Sequence, residues 1–198
     1  MTEKYFFDTD CLSAFLWIRE ESILAKLYAG KIILPAQVYN ELTKVPHLLA
    51  RVDALKNNGD LCVESMEVGS DEYEDYIQMT TKPEPGMRLI GNGEAAGIAM
   101  VKQRGGTLAS NNLRDISSYV EKYTIQHITT GDILLEAMEA GIITEEDGNK
   151  IWAGMLNGEC CQQQLFLTIW RTIKNRQKME IYLQQCNSQE NTIEKPYR

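Results

Sequence analysis

Five short apolar runs, each followed by a stretch with helical character, constrain this 198-residue chain more than any other feature. The runs lie at 4–7, 31–34, 61–64, 107–110 and 125–128, a length that suits strands better than helices. Helical signals lie between and after them, at 11–20, 23–29, 36–43, 48–57, 71–80, 93–104, 113–122, 131–140 and 145–156. Strands that alternate with helices must pair in parallel, because each return crosses over through a helix packed on the sheet. The expected class is therefore α/β, a three-layer α/β/α sandwich around a mostly parallel sheet of four to five strands. Pro83-Glu84-Pro85-Gly86 is the clearest loop, since its prolines block helix and ladder alike. It divides the chain into two halves but is too short to separate two cores.

A chain that is 43% hydrophobic and 24% charged has the make-up of a globular domain with a substantial core. No run approaches ~20 apolar residues, so no membrane span is expected, and the start of the chain carries no signal-peptide pattern. Five cysteines (11, 62, 160, 161 and 186) form no C-x-x-C pair, which fits reduced thiols and a cytoplasmic location. Cys11 and Cys62 lie among apolar neighbours and read as buried. The two histidines, His47 and His127, have no Cys or His at zinc-ligand spacing, so a zinc site is set aside.

The net charge of −8 argues against a broad nucleic-acid-binding surface. It is unevenly spread: the 14 basic and 24 acidic residues before position 159 give −10, and the six basic and four acidic residues from 159 onward give +2. Glu64, Glu67, Asp71, Glu72, Glu74 and Asp75 account for part of the excess and read as a solvated helix face. The texture also changes near the end. Gly158-Glu159-Cys160-Cys161 breaks the preceding helix, and Phe166, Ile169, Trp170 and Ile173 then make one apolar helical face. The expected organisation is a domain over 1–157 and a helical or partly disordered extension over 158–198.

The remaining acids fall at four places. Asp8 and Asp10 close the run Tyr5-Phe6-Phe7, where a side chain leaves the core of a parallel sheet and meets solvent. A competing reading makes Thr9 or Asp10 the cap of a helix beginning at Cys11. Glu41 lies six residues past Pro35, itself a good first helical residue, beside the apolar positions Val38 and Leu42. Glu94 stands in the first turn of Gly93-Glu94-Ala95-Ala96-Gly97-Ile98-Ala99, whose small residues allow close approach to a sheet. Asn111-Asn112-Leu113-Arg114-Asp115 follows the run at 107–110, with Asn111 or Asn112 as a helix cap on the plainer reading.

In this order the pieces resemble the PIN-domain family of metal-dependent ribonucleases. The likeness rests on Phe7-Asp8-Thr9-Asp10-xx-Ser13, Pro35-Ala-Gln-Val-Tyr-Asn-Glu41-Leu42, the Gly93–Ala99 stretch and Leu108-Ala-Ser110-Asn111-Asn112. Thr129-Thr130-Gly131-Asp132 and its helix are similar to the family's closing segment, so the likeness covers roughly 4–156. It implies RNA as substrate and Mg²⁺ or Mn²⁺ as cofactor, since hard carboxylate oxygens suit those ions. It also implies a protein antitoxin as a partner and a homodimer as an oligomeric state. On this reading Asp8, Glu41, Glu94 and Asp115 are catalytic; Asp8, Asp10, Glu94, Asn111, Asn112 and Asp115 supply metal ligands; Thr9, Ser13 and Arg114 meet substrate. Lys102 and Arg104 are further candidates for phosphate contact. The family usually has an Asp directly after the fourth strand, where this chain has Asn111 and Asn112, so its site carries one charge fewer.

Two other readings compete. Asp8-Thr9-Asp10 begins the D-x-D signature of haloacid-dehalogenase-like phosphatases, with a faint late echo in Gly131-Asp132-xxx-Glu136. Leu12 stands where that signature has Thr or Val, and Glu41 and Glu94 have no role in it. The third reading is a catalytically weakened PIN-like module that binds a partner or RNA, motivated by Asn111 and Asn112.

Overall fold

The computed structural model describes residues 3–157, all within one compact unit. The expected extension at 158–198 lies outside the described residues. In chain order the elements are β1 (Tyr5–Phe7), α1 (Thr9–Trp17), α2 (Ser22–Tyr28), β2 (Ile32–Pro35), α3 (Ala36–Leu42), α4 (Pro46–Asn57) and β3 (Leu61–Glu64). They continue with α5 (Asp71–Thr81), α6 (Asn92–Arg104), β4 (Thr107–Ala109), α7 (Leu113–Lys122), β5 (Gln126–Ile128), α8 (Thr130–Glu139) and α9 (Glu145–Asn157). Among the described residues no helix is long and apolar enough to cross a membrane.

The five strands form one sheet in the order β3-β2-β1-β4-β5, every neighbouring pair parallel. This is the α/β architecture expected from the alternation of runs and helices. Tyr5 stands opposite Ile32 on one side and Thr107 on the other, which fixes the register at the centre. Consecutive residues of β1 then face opposite ways. Phe6 packs with Ile33, Leu108 and the small residues of α6. Tyr5 and Phe7 meet the ring of Tyr28 from α2, with centroids 4.2 and 6.2 Å away. Phe6 and Phe7 are both fully buried, so two adjacent aromatics tie two helical layers to one strand.

The chain moves outward from β1 to β2 and β3, then returns across β1 to lay down β4 and β5. β1 and β4 are therefore the switch point, where crossovers leave to opposite sides and open a crevice at the carboxyl ends of the strands. Helix α6 packs tightly beside both, because Ala95, Ala96, Gly97 and Ala99 are all buried against the sheet. A Cβ on Gly97 would come 2.8 Å from Leu108 Cδ1. At the other end of the sheet Gly106 has φ +112°, and a Cβ there would meet the Lys4 carbonyl oxygen at 2.5 Å. Only glycine fits that entry into β4.

Several local expectations need correction. Helix α1 begins at Thr9, and its cap is Asp8 rather than Thr9 or Asp10. Pro35 ends β2 and precedes α3 instead of opening it. Cys62 is exposed, because β3 is an edge strand and turns that residue outward, whereas Cys11 is buried. The acidic run before and within α5 is more than a solvated face. Arg104 at the end of α6 pairs with Glu72 and Glu64, both at 2.5 Å, and Lys102 pairs with Asp75 at 2.7 Å. Those ion pairs fasten α5 and β3 to α6 and commit both cations to carboxylates outside the Asp8 crevice.

Candidate functional site

Asp8 leaves β1 with extended backbone and caps α1, its Oδ1 accepting from the Cys11 amide at 2.8 Å. The Asp8 amide donates to the Ala109 carbonyl at 3.0 Å, which continues the β1–β4 ladder and brings Ser110 alongside. Asp8 is 2% exposed, and its Oδ2 has no hydrogen-bond partner among the described residues. An ionised carboxylate in such a place is expensive. Burial pushes the Asp8 pKa up to about 8; the Ser110 hydroxyl and Cys11 amide pull it down, and the charges of Asp10 and Glu94 push it further up. Asp10, two residues on, stays open to solvent, yet the crevice strips enough water from its carboxylate to raise its pKa, with Glu94 and then Glu41 adding to the rise.

Two further helices bring their acids to this point. Glu94, in the first turn of α6, is half-buried, as is Glu41 near the end of α3. Thr9 donates its hydroxyl to Glu41 Oε2, which joins the start of α1 to α3. Gly93 lies under that pair: a Cβ on it would stand 3.1 Å from Thr9 Oγ1 and 3.3 Å from Glu41 Oε2. The absence of a side chain at 93 lets α6 present Glu94 beside the Thr9–Glu41 link.

The two asparagines after β4 behave differently. Asn111 is buried, and Thr130 takes both ends of its amide: Asn111 Nδ2 donates to Thr130 Oγ1 at 2.8 Å, and Thr130 N donates to Asn111 Oδ1 at 3.0 Å. It latches the end of β4 to the start of α8, so the structure does not bring it to the acids as a ligand. His127 Nε2 donates to the Ser110 carbonyl at 2.8 Å and fixes the same turn. Asn112 occupies the cap position of α7 but makes no side-chain cap bond. Its Nδ2 donates instead to Glu94 Oε1 at 2.9 Å and to Asp115 Oδ2 at 3.0 Å. Carboxylates only accept, so the NH₂ end of the amide must face them.

The crevice thus collects Asp8, Asp10, Glu41, Glu94 and Asp115, with Thr9 and Asn112 among them. Ser13 is buried and donates to the Asp10 carbonyl at 3.4 Å, one turn into α1 and away from solvent. Arg114 is exposed and makes no ion pair among the described residues, pointing no contact toward the acids. Arg88, from the 82–91 connection, does reach them: its Nη1 lies 3.4 Å from Asp115 Oδ1. Nothing in the sequence marks Arg88 as a member of this constellation, and the stretches that contain Ser110 and Thr130 give neither residue a role; the fold brings them in.

Divalent-cation binding has support and an obstacle here. The support is the donor set: hard oxygens from four helices and two strand ends, with a buried carboxylate oxygen that has no hydrogen-bond partner among the described residues. The obstacle is spacing. Among the described residues no three His, Cys, Asp or Glu side chains stand close enough together to hold a metal ion. The Asn112 amide holds the place between Glu94 and Asp115, and turning it would present its carbonyl oxygen to a cation. A cleft of about 900 Å³ elsewhere, lined by Lys4, Lys31, Gly106 and Gln126, sits at the opposite ends of the strands and contains none of these acids.

Protein-family models and curated proteins contain no match to this chain.

Proposed function

We propose that this chain is a PIN-like, metal-dependent endoribonuclease of the cytoplasm, with the crevice at the ends of β1 and β4 as its active site. The observation that carries the reading is the buried Asp8 carboxylate beside Asp10 and Glu94, whose Oδ2 meets no hydrogen-bond partner among the described residues and would be satisfied by a cation. Once the Asn112 amide turns and the carboxylates close up from the spacing seen here, Asp8, Asp10, Glu94 and Asp115 would hold Mg²⁺ or Mn²⁺, with the Asn112 carbonyl as a further oxygen. Such an ion lowers the pKa of a bound water and offsets charge on a scissile phosphate.

The protein's own groups supply the rest. Glu41, held by the Thr9 hydroxyl, stands as an acceptor for a proton from an attacking water. Asn112 spaces Glu94 from Asp115 and keeps both carboxylates aimed into the crevice. Asp8 stays fixed through Cys11 N, so its free oxygen points one way. RNA is the substrate that the family likeness implies, and a protein antitoxin is the partner such a nuclease would need.

The phosphatase reading loses its late motif. Asp132 is used in a capping box with Thr129, and Glu136 accepts from the buried Tyr28 hydroxyl. The partner-binding reading keeps one supporting observation, the Asn112 amide lodged between two carboxylates where a cation would stand.

The test is cleavage of labelled single-stranded RNA with Mg²⁺ or Mn²⁺ and with EDTA, alongside p-nitrophenyl phosphate. Metal-dependent RNA cleavage without phosphatase turnover supports the proposal. Turnover of the phosphate ester, or no RNA cleavage with either ion, overturns it.

A further inference from the structure

An acidic crevice that acts on RNA has to admit a polyanion, and this unit is strongly acidic. Several of its cations are already committed. Lys102 holds Asp75 at 2.7 Å, Arg104 holds Glu72 and Glu64 at 2.5 Å, and Arg51 holds Glu21 at 2.5 Å. Arg88 differs from these in lying beside the acids of the crevice and in being loosely held, as Lys4, at the opposite ends of the strands, is by Glu64. Its pair with Asp115 is long at 3.4 Å, and the side chains are 56% and 38% exposed, so the link is weak and exchangeable.

Its backbone, by contrast, is held firmly. Tyr119, 2% exposed, donates its hydroxyl to the Arg88 carbonyl at 2.5 Å. The flanking Ile90 is buried, and the Met87 amide donates to the Glu84 carbonyl at 2.9 Å. Asp115 and Tyr119 are one turn apart on α7, so they lie on one face. One grips the side chain of Arg88 loosely and the other grips its main chain tightly. A fixed base with a loose, exposed guanidinium at the rim of an acid cluster has the form of an arm for a ligand.

We propose that Arg88 is a substrate-binding residue that contacts a backbone phosphate of single-stranded RNA at the mouth of the crevice. This deepens the nuclease reading and rests on it. In the free protein Asp115 holds the guanidinium near the site. When RNA arrives, the planar fork exchanges one carboxylate oxygen for two phosphate oxygens, a geometry it matches better than an ammonium does. Release of Asp115 from Arg88 also leaves that carboxylate free for a cation, so substrate and metal assist each other's entry.

The test compares wild type, Arg88→Ala and Arg88→Lys as full-length chains, with steady-state cleavage of a labelled single-stranded RNA in Mn²⁺ at several NaCl concentrations. Arg88→Ala is expected to raise KM about tenfold with kcat little changed, and to reduce the slope of log KM against log salt by about 0.7, one phosphate contact on a single strand. Arg88→Lys should recover the slope but only part of the KM, because an ammonium keeps the charge and loses the fork. Mn²⁺ affinity by calorimetry should be tighter in Arg88→Ala, because Asp115 is no longer shared; an unchanged affinity overturns the link between substrate and metal entry. A wild type that cleaves and an Arg88→Ala variant with the same KM and salt slope overturn the role of Arg88 alone. A wild type that cleaves no RNA overturns the nuclease reading, and this proposal falls with it.

Discussion

Asn112 Nδ2 donates to Glu94 Oε1 at 2.9 Å and so joins the turn after β4 to the first turn of α6, the two elements that meet at the topological switch point. The same nitrogen reaches Asp115 Oδ2 at 3.0 Å. One neutral amide therefore separates two carboxylates that would otherwise face each other across the crevice. The sequence offers Asn112 as a charge-poor replacement for an acid; the structure makes it a spacer between acids.

That arrangement predicts the behaviour of Asn112→Asp. Without divalent ions the substitution replaces two charge-assisted hydrogen bonds by like-charge contact, and it should lower stability by about 1–2 kcal/mol. With Mn²⁺ the added charge should strengthen cation binding, so the metal-induced rise in melting temperature should exceed that of the wild type. Thermal melts of both proteins with and without Mn²⁺ check this. Equal stability in EDTA would contradict the spacer role.

Asp8 predicts a pH dependence of the metal-free protein. Its folded pKa lies near 8, above the ordinary value of 3.8, so the native state binds more protons than the unfolded state between those values. The contribution of Asp8 to stability is therefore fully present below about pH 4 and is lost as pH rises through 8. An Asn at this position keeps the cap on Cys11 N and removes the titration. Asp8→Asn should gain on the order of 5 kcal/mol relative to wild type between pH 4 and pH 8 in EDTA. In Mn²⁺ the order should reverse, because only the wild type has the carboxylate that the ion stabilises. Denaturant melts at the two pH values decide; a constant difference between the proteins would contradict the burial argument.

Asn111 predicts the opposite signature from its neighbour. Both ends of its amide serve Thr130, so Asn111→Ala leaves the Thr130 amide buried without its partner. The expected loss is about 2–3 kcal/mol of stability. Mn²⁺ affinity of the folded protein should stay at the wild-type value. A calorimetric titration that showed weaker Mn²⁺ binding would return Asn111 to the ligand set.

The contrast between the asparagines separates what local sequence determines from what distant partners determine. Strand and helix positions are legible because burial acts on runs: Phe6, Ile33 and Leu108 must share one face and Phe7 the other, whatever their partners. The acids at the strand ends are legible for the same reason, since Asp8 closes an apolar run and Glu94 opens a small-residue helix. Side-chain direction after a strand is another matter. Asn111 and Asn112 differ by one step in the chain, yet one turns to α8 and the other to α6, a choice set by the distant Thr130 and Glu94. Arg88 had no local signal at all, because Asp115 and Tyr119 on α7 place it. The apolar neighbours of Cys62 suggest burial but do not reveal that β3 is an edge strand, which exposes the thiol.

The most direct test of the central claim is the rate of single-stranded RNA cleavage in Mn²⁺ by wild type and by Glu94→Gln. Gln keeps an oxygen for the Asn112 amide and so preserves the fold around the site, while it removes one charge from the crevice. The wild type should cleave in a metal-dependent way, and the variant should lose at least about 100-fold in rate. Equal rates in the two proteins would show that the crevice between β1 and β4 is not where the chemistry occurs.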